Sequence, residues 1–221
     1  IGNNHEGDFG LAKEMIHLAS ETGVDAVKFQ TFVTEQYVGK SDLARFKRLK
    51  SFELSQDQFF ELSETARNLN LAFISTPFDI QSAKFLSTIV DALKISSGDN
   101  NFFPMIEVAA RIDKPIILST GMSFIKDIIL CRDLIKRISK ERNSMLELAI
   151  LHCVSSYPVK KSEANLSAIT TLISEVGEVV GYSDHTIGPE AAVIAIALGA
   201  RIIEKHFTID KHFSDFRDHQ L

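Results

Sequence analysis

No stretch of the 221-residue sequence approaches the roughly 20 apolar residues that a helix needs to cross a bilayer, so an integral-membrane class is disfavoured. Blocks of like charge are also missing. Lys and Arg number 24 against 29 Asp and Glu, a formal charge of −5, and no basic stripe of the kind nucleic-acid binders carry is visible. Cysteine is scarce: Cys131 and Cys153 both sit inside apolar segments, which rules out a disulfide framework and suits a reducing cytoplasm. The G-x-G-x-x-G fingerprint of dinucleotide-binding sheets does not occur. The first residue is Ile1 rather than methionine. Gly2-Asn3-Asn4-His5 reads like the exit of a strand, and Leu221 comes shortly after another exit. The sequence therefore reads as a piece of a longer protein, truncated at both ends within or near structured elements.

What is present is a globular composition, 45% hydrophobic and 24% charged, arranged with a regular alternation. Short apolar, β-branched stretches at Asp25–Gln30, Ala72–Thr76, Ala92–Ser96, Pro115–Ser119, Leu148–Cys153, Val179–Ser183 and Ile202–Phe207 predict strands, with Ile1–Asn3 as the end of a first one. Helical periodicity predicts helices over Phe9–Thr22, Gln56–Asn68, Asp79–Thr88, Phe103–Arg111, Ser123–Ser139, Leu166–Glu175 and Pro189–Leu198. Ser55, Asp79 and Pro189 mark helix starts, and Gly23, Gly177 and Gly199 mark ends. Strands alternating with helices imply βαβ units and a parallel sheet. Eight units fit a (β/α)8 TIM barrel formed by residues 1–221 as a single domain. The alternative is an open doubly wound sheet, which usually has fewer strands. The basic stretch Gly39–Ser51, with Lys40, Arg45, Lys47, Arg48 and Lys50, reads as a solvated connection.

In a parallel barrel the C-terminal strand ends share one face, where active sites are built. Polar residues gather at these exits and not at the strand starts. They include Asn4-His5-Glu6, Gln30, Ser75-Thr76, Ser96-Ser97-Gly98-Asp99, Ser119-Thr120-Gly121, Ser155-Ser156-Tyr157, Ser183-Asp184-His185, and His206 with Thr208. Alternation along the strands puts Lys28 on the face of Ala26 and Gln30, and Lys94 on the face of Ala92 and Ser96. The apolar faces should pack on helices, so both lysines should point into the lumen. An ammonium among apolar neighbours needs an anion. That anion is either a phosphate-bearing ligand or an interior carboxylate, for which Glu204 is the candidate. The Ser96-Ser97-Gly98 and Ser119-Thr120-Gly121 turns suit phosphate through hydroxyls and free backbone N–H groups.

His185 and His206 end adjacent strands, and His206 shares an inward face with Ile202 and Glu204. Two converging imidazoles suit a divalent metal whose other positions stay with water and substrate; each alone is equally an ordinary satisfied polar group. His152 reads as a hydrogen-bonded interior residue, and His212 and His219 in the tail carry no reading.

The motifs Asn4-His5-Glu6-Gly7, Val27-Lys28-Phe29-Gln30-Thr31, Phe73-Ile74-Ser75-Thr76-Pro77-Phe78 and Lys94-Ile95-Ser96-Ser97-Gly98 resemble the N-acetylneuraminate (sialic acid) synthase family. So do Ile117-Leu118-Ser119-Thr120-Gly121-Met122, Leu151-His152-Cys153 with Tyr157-Pro158, Gly181-Tyr182-Ser183-Asp184-His185-Thr186 and Glu204-Lys205-His206-Phe207-Thr208, all in family order. The resemblance implies a (β/α)8 catalytic barrel, usually followed by an antifreeze-like domain not found in this sequence, and a homodimer of the full-length protein. It implies a cytoplasmic transferase of carbohydrate biosynthesis that joins phosphoenolpyruvate to an open-chain N-acyl amino sugar such as N-acetylmannosamine. A related 3-deoxy-ulosonate phosphate synthase is the alternative, and a non-catalytic carbohydrate-binding barrel a more distant one. By motif, Lys28, Thr76, Lys94, Ser97 and Ser119 hold phosphoenolpyruvate, with Asp99, Ser155 and Ser183 completing the substrate site. His185 and His206 ligate manganese or magnesium, while Glu6 and Tyr157 position the sugar and the attacking water. Asp218 is the equivalent of an acceptor-contacting aspartate, in a stretch, Asp215-Phe216-Arg217-Asp218-His219, that departs from the family's Gly-Pro-Asp-His. No extra basic cluster for an acceptor phosphate is visible at the strand exits.

Overall fold

The computed structural model describes residues 1–39 and 41–221; Lys40 lies outside the described residues. Among the described residues seven strands form one parallel sheet in sequence order: β1 (Ala26–Thr31), β2 (Ala72–Pro77), β3 (Ala92–Ile95), β4 (Ile116–Ser119), β5 (Leu148–Cys153), β6 (Val179–Asp184) and β7 (Ile203–Lys205). The expected first strand is reduced to a parallel bridge from Gly2 to Phe29 of β1. No ladder joins this stub to β7 among the described residues, and β7 itself is only half-buried. The architecture is thus an α/β fold with a curved, all-parallel sheet.

Helices follow the strands as the periodicity predicts: α1 (Phe9–Glu21), α4 (Gln56–Asn68), α5 (Ile80–Leu86), α6 (Phe103–Ile112), α7 (Ile125–Glu141), α8 (Ala168–Val176) and α9 (Glu190–Ala197). Their starts have local causes. Ser55 and Gln58 close a reciprocal capping box on α4, and the Asp8 carboxylate accepts from Leu11 N at 2.9 Å on α1. Asp79 caps α5 through Ser82 N at 2.7 Å, and its other oxygen accepts from Val33 N at 2.8 Å, which ties the β1 exit to the β2 exit.

The sheet's two faces divide as alternation requires. Val27 and Phe29 are buried towards the helices, where Phe29 stacks on Phe73 at 5.5 Å and meets Phe59 edge-on at 6.4 Å. Lys28 and Gln30 turn to the lumen.

The stretch expected to be a solvated connection is structured. Within Gly39–Ser51 lies most of α3 (Leu43–Phe52), capped by Asp42, whose side chain accepts from Arg45 N at 3.1 Å, and the short α2 (Thr34–Tyr37) precedes the stretch. Phe46, Leu49 and Phe52 recur at a three-residue spacing among the basic residues and give α3 an apolar face. That face joins Phe32, Val38, Tyr37, Phe78 and Phe216 in a second apolar cluster over the strand exits. Full burial of each aromatic is worth about 2–3 kcal/mol, enough to hold a charged helix in place.

Candidate active site

The strand exits enclose a cavity of about 530 Å³. Its wall takes Lys28 and Gln30 from β1, Thr76 from β2, Lys94 from β3, Ser119 from β4, Cys153 from β5, Ser183 from β6 and Glu204 from β7. The loops after the strands add Ser97, Asp99, Ser155, Tyr157, His185 and His206. Of the residues given catalytic, binding or metal roles from the sequence, Glu6 and Asp218 are not part of this lining.

Both lysines meet the same carboxylate. Lys94 Nζ is 3.0 Å from Glu204 Oε1, Lys28 Nζ is 3.9 Å from Oε2, and Ser183 Oγ donates to Oε1 at 2.7 Å. The interior-carboxylate reading is therefore met, but one carboxylate serves two ammonium groups and a positive charge is left over. Burial opposes ionisation of Glu204; Lys28 and Lys94 outweigh it and hold the carboxyl well below its ordinary range. Burial likewise pushes the Lys28 ammonium down, against the pull of Glu204.

Beside this charge sits a turn built for close approach. Gly121 N donates to Ser97 Oγ at 3.0 Å, and Asn100 Nδ2 donates to the carbonyls of Ser119 and Gly121 at 3.3 and 3.1 Å. A Cβ on Gly121 would lie 2.3 Å from Ser155 Oγ and 2.7 Å from Ser97 Oγ, so only glycine leaves the pocket open. The Ser119 hydroxyl is buried without a hydrogen-bond partner among the described residues. A buried orphan hydroxyl aimed at a cationic cavity is accounted for by a ligand that supplies the missing partner. Asp99 accepts from Ser96 Oγ at 2.6 Å, and burial raises its carboxyl above the ordinary range.

The two histidines come together as expected, with ring centroids 5.5 Å apart. His185 Nδ1 lies 2.9 Å from the Val154 carbonyl, and donating to it fixes the tautomer and leaves Nε2 with a free lone pair. Burial lowers the pKa of both imidazoles, that of His206 strongly, so both are neutral near pH 7. The Tyr157 ring covers them, 4.2 Å from His185 and 5.8 Å from His206, and its phenol is pushed up by burial. Among the described residues no group of three or more His, Cys, Asp or Glu side chains is arranged around one point as for a metal. The donor set on offer is therefore two neutral imidazoles, which fits a borderline divalent ion, and a harder one only where water and substrate oxygens fill the remaining positions. His152 behaves as expected, its Nε2 2.8 Å from the Ala164 carbonyl.

The tail closes one side of the site, and here the sequence reading missed a residue. Asp218 Oδ2 lies 3.6 Å from His206 Nδ1, and burial pushes its carboxyl up to about 6. The neighbouring His219 is fully buried and spans Thr208 Oγ1 at 2.6 Å and Glu6 Oε1 at 3.1 Å. Ser214 Oγ also donates to Glu6 Oε1, so Glu6 anchors the tail that carries Asp218. Glu6 has φ 45°, a left-handed conformation that costs a non-glycine residue about 1–2 kcal/mol. Gly7 beside it has φ 88°, and a Cβ there would lie 1.9 Å from the Ser51 carbonyl oxygen. No local sequence signal singled out His219; its bond to Glu6 spans more than 200 residues of sequence.

The chain is similar to known proteins over nearly its whole length. N,N'-diacetyllegionaminic acid synthase of Legionella pneumophila is 40% identical over 95% of the chain and 63% of its own length. N-acetylneuraminate-9-phosphate synthase of Drosophila melanogaster is 35% identical over 96% of the chain and 59% of its length. The chain thus spans about three fifths of these relatives. The crystal structure of N-acetylneuraminic acid (sialic acid) synthetase from Leptospira borgpetersenii matches with a TM-score of 0.91 at 37% identity, over 99% of this chain and 74% of that one. The NeuB family model matches residues 15–221, and the chain belongs to the NeuB family.

Proposed function

We propose that the protein condenses phosphoenolpyruvate with an open-chain N-acyl amino sugar and water, giving a nonulosonic acid and phosphate, on a (β/α)8 barrel of which the seven-stranded sheet is the major part. The observation that carries this reading is one cavity holding a surplus cation (Lys28 and Lys94 on Glu204), the orphan Ser119 hydroxyl, the Ser97–Gly121 turn and two neutral imidazoles. The synthase names of the relatives point the same way.

In this reading Lys28, Lys94, Ser97, Ser119 and Thr76 hold the phosphate and carboxylate of phosphoenolpyruvate. Their charge offsets what develops as the phosphate leaves. C3 of the enol forms the new C–C bond to the sugar aldehyde carbon, and the aldehyde oxygen takes up a proton to become a hydroxyl. Water adds its oxygen to C2 and gives up a proton. The C2–O bond to phosphate then breaks, the hydroxyl left on C2 becomes the ketone, and inorganic phosphate departs. Glu6 Oε2 has no hydrogen-bond partner among the described residues; we assign it the water's proton, passed through one solvent molecule because Glu6 is not itself among the residues lining the cavity. Tyr157, Ser155, Ser183, Asp99 and Asp218 border the acceptor and orient it. His185 and His206 would hold manganese or magnesium, which when bound polarises a carbonyl oxygen.

The test is coupled phosphate release from phosphoenolpyruvate with a panel of N-acylhexosamines and manganese. Release that requires a sugar supports the reading; a protein that binds phosphoenolpyruvate yet releases nothing with any acceptor contradicts it.

A further inference from the structure

Behind the two imidazoles lies a charge set that the proposed reaction does not use. Ser183, His185, Glu204 and His206 line the strand-exit cavity, and alternation turns Asp184 and Lys205 to the opposite face of the sheet. Asp184 is fully buried, and both its carboxylate oxygens are engaged. Oδ1 accepts from Thr186 N and Thr186 Oγ1, each at 2.8 Å, and from the Tyr182 hydroxyl at 3.2 Å. Oδ2 accepts from Lys205 Nζ at 2.9 Å, and the same ammonium donates to the Thr186 carbonyl at 2.7 Å. One cation therefore grips the residues on both sides of His185, and it belongs to the residue directly before His206.

The ladder gives this contact its place. β6 and β7 pair Ser183 with Glu204 and Asp184 with Lys205, and the pairing ends there. His185 and His206 are the next residue on each strand, one step past the last rung. Among the described residues β7 has three residues and a ladder to β6 alone. His185 has ties of its own, through Nδ1 to the Val154 carbonyl and through its carbonyl to Val159 N at 2.8 Å. Two side-chain links join β6 to β7 at this end. One, Ser183 to Glu204, faces the lumen, where Glu204 also serves Lys28 and Lys94. The other is Lys205 on Asp184 and Thr186. Desolvation offsets much of the attraction within a buried ion pair, so the pair's directed geometry explains its presence better than its stability does.

We propose that Asp184 and Lys205 are positioning residues, a latch on the outer face of the sheet that sets the separation and aim of the His185 and His206 imidazoles. This rests on the metal reading above and adds to it a support that neither imidazole supplies. Groups that orient metal-binding imidazoles typically change metal affinity by about 10–100-fold when removed. The latch acts through backbone rather than on the rings, so its loss belongs at the lower end of that range.

The experiment uses the full-length protein and its Lys205→Met, Lys205→Arg and Asp184→Asn variants. Manganese affinity is read by electron paramagnetic resonance, and phosphoenolpyruvate affinity without metal by calorimetry. Manganese should bind about tenfold more weakly in Lys205→Met and Asp184→Asn, and within about threefold of the original in Lys205→Arg. Phosphoenolpyruvate affinity should stay within about twofold throughout, because Lys28, Lys94 and Glu204 face the lumen. A pair that only stabilises the fold would leave manganese affinity of the folded variants unchanged or weaken both ligands together, and either result overturns the latch. Should Asp184→Asn fail to fold, the Lys205 variants decide the matter, since that side chain is 28% exposed. Hydrogen exchange of the metal-free protein supplies a readout that needs neither ligand. Amides of residues 184–187 and 203–207 should exchange about tenfold faster in Lys205→Met and near the original rate in Lys205→Arg. If the unsubstituted protein binds no manganese, the metal reading falls. Faster exchange confined to those two segments then still supports the latch, and unchanged exchange overturns it.

Discussion

Glu204 accepts from Lys94 Nζ at 3.0 Å while its other oxygen faces Lys28, so one strand-end carboxylate organises the cationic floor of the cavity. Removing one partner of a buried charge set leaves the others exposed to the full cost of desolvation. Glu204→Gln is expected to lower stability by about 2–3 kcal/mol, less than the roughly 3–5 kcal/mol lost when a fully buried pair is broken, because the carboxylate keeps some solvent access. Phosphoenolpyruvate supplies replacement anions, so the urea midpoint should rise more on ligand addition in the variant than in the unsubstituted protein. An equal rise in both would show that the ligand does not contact these lysines.

Gly121 governs access to the hydroxyl turn. A methyl there collides with Ser155 Oγ and Ser97 Oγ, and Ser97 must give way. Gly121→Ala should weaken phosphoenolpyruvate binding at least tenfold, read by calorimetry, with little change in circular dichroism. Undiminished binding would remove Ser97 from the phosphate site.

Glu6→Gln should reduce kcat at least a hundredfold while phosphoenolpyruvate affinity is kept. The amide still accepts from Ser214 and His219 but takes no proton. Turnover near that of the unsubstituted protein would leave Glu6 with a purely architectural role.

His5 makes stability depend on pH. It is buried, its Nδ1 accepts from Gly7 N at 3.0 Å, and burial lowers its pKa to about 4. The unfolded state binds a proton near the ordinary value of about 6.5 and the folded state does not until about 4. Between those values the unfolded chain binds more protons, so stability falls as the pH is lowered through that window, by up to about 3 kcal/mol from this residue. Urea unfolding at pH 7.5 and 4.5 should show a smaller loss in His5→Gln than in the unsubstituted protein; identical losses would mean that His5 is protonated without cost.

Much of this was legible because period and spacing are local properties. The period-two patterns of β1 and β3 placed Lys28 and Lys94 in the lumen, and strand order placed His185 beside His206. Helix α3 was hidden by its charge. Arg45, Lys47, Arg48 and Lys50 masked the Phe46, Leu49 and Phe52 spacing, and the partners of that face, Phe78 and Phe216, are remote in sequence. The Ile202–Phe207 strand shortened to Ile203–Lys205, and the Ile1–Asn3 stub to a single bridge, because edge positions have a neighbour on one side only. The tail cluster of Glu6, Thr208, Ser214 and His219 has no periodic signal at all; only the folded chain brings its members together.

The central claim is that His185 and His206 share a metal with a substrate cavity that consumes phosphoenolpyruvate. The direct measurement is manganese binding by electron paramagnetic resonance alongside phosphate release, in the unsubstituted protein and in His185→Ala and His206→Ala. The account predicts one bound manganese, acceptor-dependent release that stops with chelator and returns with metal, and loss of both signals in each variant. Acceptor-dependent release that survives chelation, or manganese bound equally well without either imidazole, would contradict it.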